Sequence, residues 1–123
     1  MSQIERQLPD IPQTATLTEW QTYVSELVKA RAWDKASDLE IFLLFTEEVG
    51  ELAKAFRRHR ELFAESGQVK TEASKLKEEL ASEMADVLSY LLDLAQRMDI
   101  NLESAVIQKE NFNRSRHLSL IHI

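Results

Sequence analysis

The 123-residue sequence has no cysteine, two glycines and two prolines. Without cysteine there is no disulfide, no thiolate metal site and no thiol nucleophile, a usage that fits a reducing compartment. Both prolines, Pro9 and Pro12, fall near the start, and beyond Thr14 only Gly50 and Gly67 relax the backbone. A chain so poor in turn residues is hard to build as a sheet. No apolar stretch approaches the roughly 20 residues of a membrane span, and residues 1–16 lack the apolar run of a signal peptide. A cytoplasmic protein without membrane attachment is therefore expected. The formal net charge of -6 argues against broad contact with nucleic acid. An acidic protein can still take a phosphate-bearing ligand when a divalent cation lies between them.

Ala, Leu, Glu, Lys, Arg and Gln dominate, and these are strong helix formers. Apolar residues at 44% can build a core, and charged residues at 29% a soluble surface. The expected fold is all-α, with a flexible N-terminal arm over residues 1–15, one domain over 16–116 and a C-terminal tail over 117–123. Thr16-Leu17-Thr18-Glu19 reads as a capping box. It opens a helix to about Ala32, with Trp20, Val24, Leu27 and Val28 on one face. Ser37-Asp38-Leu39-Glu40 is a second capping box, opening a helix to about Leu62. Phe63 to Ser74, which contains Gly67, reads as the internal loop. A third helix is expected from about Lys75 to Met98, and Asn101 can cap a fourth to about Arg116. Four helices with one longer connection suggest a four-helix bundle-like protomer.

Two helices carry acids where their period assigns the core. The second has the stripe Ile41, Leu44, Phe45, Leu52, Ala55 and Phe56, and Glu48 falls between Leu44 and Leu52. Glu51 is three residues on, about 60° around the helix. The third has Leu76, Leu80, Val87, Leu91, Leu94 and Met98, and Glu83 interrupts it. Asp86 follows at i+3, and Tyr90 continues that line. Burying an ionised carboxylate is costly unless it is paired or holds a metal. The i+4 neighbours of Glu48, Glu51, Glu83 and Asp86 are Leu52, Ala55, Val87 and Tyr90, none of them cationic. Glu47 with Glu51, and Glu79 with Glu83, are like-charged i,i+4 pairs, each costing about 0.2–0.5 kcal/mol in an isolated helix. Oxygen-only donors suit hard ions, Mg²⁺ with Mn²⁺ as a substitute. A di-iron bundle needs Glu-x-x-His on two helices. Here His59, His117 and His122 follow Phe56, Arg114 and Ser119 at that spacing.

Glu48-Val49-Gly50-Glu51-Leu52 and Glu83-Met84-Ala85-Asp86-Val87-Leu88 resemble the paired ExxE and ExxD motifs of the MazG-like, all-α NTP pyrophosphohydrolases, relatives of the dimeric dUTPases and the dCTP pyrophosphatases. The likeness continues through residues 90–95 and 100–105. It closes on Lys109, Asn113 and Arg116, a K-x-x-x-N-x-x-R pattern. In all it spans about residues 17–116. It implies a magnesium-dependent enzyme cleaving a (d)NTP to the monophosphate and pyrophosphate, by water attack on the α-phosphorus, in house-cleaning of the nucleotide pool.

By the same resemblance Glu48, Glu51, Glu83 and Asp86 would hold two or three Mg²⁺ ions. Glu47, with Glu48, would serve the catalytic step by orienting or deprotonating the water. Lys109, Asn113 and Arg116 would contact phosphates, and Tyr90 the substrate. Trp33 could stack on a base. Pyrimidine-selective relatives carry a Trp and then His-x-Pro-x-Asn-Leu before the ExxE helix. Here Trp33-Asp34-Lys35-Ala36-Ser37-Asp38-Leu39-Glu40 keeps only the Trp, so the resemblance implies a nucleoside triphosphate without selecting its base. Leu88 and Leu92, opposite the carboxylate line, suggest burial against another copy. The expected assembly is a homo-oligomer, a dimer or a dimer-of-dimers tetramer, forming a larger helical bundle. The competing reading is a non-catalytic helical interaction module with an acidic face. Such a face would carry its acids outside the apolar stripe, whereas Glu48 and Glu83 lie within it.

Overall fold

The computed structural model of the chain describes residues 8–60 and 73–116. Among these residues the fold is all-α. Helix α1 is Leu17–Ala30, a short 3₁₀ turn is Trp33–Lys35, α2 is Asp38–His59, α3 is Ala73–Arg97 and α4 is Leu102–Ser115. No helix among the described residues is long and apolar enough to cross a membrane. The expected end of α2 at Leu62, most of the expected loop, and the tail from His117 lie outside the described residues. Ala73 and Ser74, expected in that loop, already belong to α3.

The helix starts follow from local chemistry. The hydroxyl of Thr16 accepts the Glu19 N–H at 3.1 Å, and the Glu19 carboxylate accepts the Thr16 N–H at 3.1 Å. Ser37 and Glu40 repeat this box at the start of α2. Asn101 accepts the Ser104 N–H at 2.9 Å and caps α4. Each cap satisfies donors that have no partner within the helix. Both described α1 and α3 endings use a left-handed residue that is not glycine, Ala32 (φ 59°) and Asp99 (φ 56°). After α3 the N–H of Ile100 reaches the Ala95 carbonyl and that of Asp99 the Gln96 carbonyl, a Schellman closure.

The chain divides into two compact units, residues 1–35 with 95–123, and residues 36–94. In the first, Val24, Val28 and Ala95 are buried, and so is Gln21. The N-terminal ends of α1 and α4 are joined by the Glu103 carboxylate, which accepts the Thr18 N–H, and by the Thr18–Asn101 hydrogen bond. In the second, Ile41, Ala55, Leu76 and Leu92 are buried, and the Arg58–Glu79 ion pair ties α2 to α3.

The expected stripes hold in period but not in depth. Leu44, Phe56 and Leu91 are more than a third exposed, and Met98 more than half. Leu92, expected to wait for another copy, is 2% exposed within this chain and is the most deeply buried large side chain among the described residues, whereas Leu88 is 44% exposed. A helix of 25 residues turns several apolar positions toward more than one side, and period alone does not say which side its own chain covers.

Candidate metal centre

Helices α2 and α3 bring three acids together. One carboxylate oxygen each from Glu48, Glu83 and Asp86 lies within 4.8 Å of the others. Glu48 and Glu83 are half-buried and Asp86 is exposed. The i,i+3 step places Glu83 and Asp86 on one side of α3, and Glu48 reaches them from the core-facing stripe of α2. All three belong to the unit of residues 36–94.

The electrostatics of this cluster are those of like charges held close together. Burial pushes the Glu48 carboxyl above its ordinary value of 4.5. The charge of Asp86, the hydrogen bond to Glu83 and the charges of Glu83 and Glu51 push it the same way. Glu83 Oε2 is buried, and no hydrogen bond reaches it among the described residues. A buried carboxylate oxygen without a donor is costly, and a cation satisfies it. The donor set is oxygen alone. These residues therefore fit a hard divalent ion such as Mg²⁺ or Mn²⁺.

Glu51 is exposed and stands outside the three-atom group, although its charge reaches Glu48. Glu47 is exposed. Tyr90 is half-buried on the same side of α3. Burial first, then the charges of Glu48, Asp86, Asp93 and Glu47, push its phenol above its ordinary value of 10.0. Trp33, Lys109, Asn113 and Arg116 belong to the other unit. There Lys109 and Arg116 both lie over the Phe112 ring, each at 5.1 Å. Asn113 is half-buried in the last turn of α4. Trp33 sits on the 3₁₀ turn and is 52% exposed.

Asp93 was not singled out from the sequence. It is 7% exposed, the only charged side chain among the buried described residues. It lies at i+3 from Tyr90 and i+7 from Asp86, so it extends the acidic line by two turns. The same 3–4 spacing that singled out Asp86 was the available signal.

A pH dependence follows from the upward shift of Glu48. In the metal-free protein the folded state holds this proton more tightly than the unfolded one. The stability it contributes is complete below 4.5 and is lost as pH rises through the folded value. Metal competes with the same proton. The gain in melting temperature from Mg²⁺ or Mn²⁺ should therefore be small near pH 4.5 and grow as pH rises above it. Thermal melts with and without metal across this range read the difference, and a gain independent of pH would count against Glu48 as a ligand.

With the fold and the acidic cluster in hand, the class is defined: the chain belongs to the MazG nucleotide pyrophosphohydrolase domain family, which matches residues 37–119. The chain is also 34% identical over 105 residues to dCTP pyrophosphatase 1 of Rattus norvegicus, covering 83% of this chain and 59% of that protein. It is 33% identical over 103 residues to dCTP pyrophosphatase 1 of Mus musculus, with the same coverage. The chain thus spans 59% of the length of these curated relatives.

Proposed function

We propose that this protein is a metal-dependent nucleoside triphosphate pyrophosphohydrolase, converting a (d)NTP and water to the (d)NMP and pyrophosphate in house-cleaning of the nucleotide pool. Residues 16–116 act as one MazG-like domain in this reading, between an N-terminal arm and a C-terminal tail. The observation that carries it is the convergence of Glu48, Glu83 and Asp86 around a buried Glu83 oxygen that no hydrogen bond reaches among the described residues. A partner-binding acidic face would leave its acids solvated and satisfied. Family membership and the likeness to the dCTP pyrophosphatases point to the same class of reaction.

Glu48, Glu51, Glu83 and Asp86 would hold the metal, Mg²⁺ or Mn²⁺. Bound there, it would supply positive charge to the triphosphate and an acidified water. Glu47, one residue before Glu48 and exposed, orients or deprotonates the attacking water. Tyr90, half-buried on the Asp86 side of α3, donates a hydrogen bond to the substrate. Lys109, Asn113 and Arg116 contact phosphates, and Trp33 stacks on the base.

The assembly we infer is a homo-oligomer in the cytoplasm, a dimer or a dimer-of-dimers tetramer. Phe42, Leu43, Met84 and Leu88 are all more than two fifths exposed on α2 and α3, apolar surface that a contact between copies would cover. Light scattering on the purified protein counts the copies, and a monomer ends this part of the reading.

The reaction is tested by incubating the protein with Mg²⁺ and a panel of NTPs and dNTPs and identifying the products. Monophosphate and pyrophosphate are expected, and their rates rank the bases. Diphosphate and orthophosphate would move the attack to the γ-phosphorus. No turnover in folded, oligomeric protein would make the interaction-module reading the better one.

A further inference from the structure

Trp33 is an aromatic residue without a core to serve. Trp33 is 52% exposed, whereas the other tryptophan, Trp20, is half-buried and packs edge-on against Tyr23 at 5.6 Å. Yet the segment that carries Trp33 is firmly held. The N–H of Arg31 closes on the Leu27 carbonyl and that of Ala32 on the Lys29 carbonyl, both at 3.0 Å. Ala32 takes a left-handed φ of 59°, a strained conformation for a residue with a Cβ. The Arg97 guanidinium donates to the Trp33 carbonyl at 2.9 Å. Over the indole ring lies the Arg31 guanidinium, 5.3 Å from the centroid. Lys29, Arg31 and Lys35 against Asp34 make this short segment cationic in a chain of net charge -6.

We propose that Arg31 is a specificity-determining residue, which makes the Trp33 platform prefer 5′-phosphorylated nucleotides over nucleosides. This deepens the base-stacking role of Trp33 and rests on that reading. A base stacks on an indole more strongly than an exposed guanidinium does, so a base takes the ring face that Arg31 covers. The displaced guanidinium stays tethered two residues away, beside the ligand. A phosphate then gives its planar fork a bidentate partner. A nucleoside has no such group, and its binding carries the loss of the Arg31–Trp33 contact uncompensated. Arg31 thus weakens the binding of nucleosides and strengthens that of nucleotides, through one side chain.

The test uses the full chain carrying Trp20→Phe, so that Trp33 is the only indole. Its fluorescence is titrated with cytidine and CMP, and with adenosine and AMP, in metal-free buffer. The monophosphates should bind more tightly than their nucleosides. Arg31→Ala should shrink that preference about tenfold, or 1.4 kcal/mol, while nucleoside affinity stays the same or rises. Arg31→Lys keeps the charge and should restore part of the preference, which a merely structural role in the turn would not do. Quenching by both ligands with the preference unchanged in Arg31→Ala overturns the role of Arg31 and leaves Trp33 as a platform. No Trp33 response to any of the four ligands overturns the platform itself, and the inference with it.

Discussion

Glu83→Gln should destroy turnover while making the metal-free protein harder to melt. In the metal-free state Glu83 lies against Glu48 and Asp86 with one buried oxygen lacking a hydrogen bond among the described residues, and burial with the neighbouring like charges raises the Glu48 carboxyl above its ordinary value. An amide at position 83 removes one like charge and offers an N–H to the Glu48 carboxylate. A gain of about 0.5–1.5 kcal/mol is expected, within the range for relieving functional strain. The metal reverses the order. In the native protein a metal at a hundredfold excess over its Kd adds about 2.7 kcal/mol, and Glu83→Gln should capture little of that. Activity should fall by more than the roughly 100-fold typical of losing a group that only supports a metal ligand. Melting curves of both proteins with and without Mg²⁺ therefore cross in rank. The same rank under both conditions would remove Glu83 from the metal site, whatever happened to the rate.

How much of this was legible in the sequence depends on how local the cause is. Thr16, Ser37 and Asn101 could be read as caps because each acts on a backbone N–H three residues away. Glu48, Glu83 and Asp86 could be read because they break an apolar period, and a carboxylate in that position needs a reason. Glu51 belongs to the same motif but is exposed and outside the three-atom group, since an i+3 step leads off the buried side as easily as along it. The turns after α1 and α3 were not legible. Left-handed residues are expected to be glycine, and here they are Ala32 and Asp99, held by closures that depend on the surrounding fold. Burial at Leu92 against exposure at Leu88 is also a tertiary outcome. The same holds for the buried polar residues Gln21 and Asp93, whose surroundings no helical period encodes.

Gln21 sets the largest stability effect expected in the first unit. It is 4% exposed, and its amide serves three groups far along the chain. Its Nε2 donates to Gln96 Oε1 at 3.1 Å and to the Ile100 carbonyl at 2.6 Å. Its Oε1 accepts the N–H of Leu102 at 3.1 Å. Leu102 is the first residue of α4, where the backbone N–H has no partner inside the helix. One side chain of α1 therefore fixes the turn from α3 into α4, the turn strained at Asp99. Gln21→Leu keeps the volume but leaves the Leu102 N–H and the Ile100 carbonyl unserved. Each such group costs about 1–3 kcal/mol, partly offset by a better-buried apolar side chain, for a net loss of about 2–3 kcal/mol. Gln21→Glu should be worse than Gln21→Leu. Its carboxylate can still accept from Leu102, but it faces the Gln96 and Ile100 oxygens as a buried charge against two acceptors. Gln96→Ala removes one of the three contacts and should cost least. Urea denaturation at one fixed protein concentration gives the order directly, provided the m-values agree. If Gln21→Leu unfolded at the native midpoint, the amide would be replaceable by packing alone, and the turn before α4 would owe its position to the Asn101 cap and the Schellman closure.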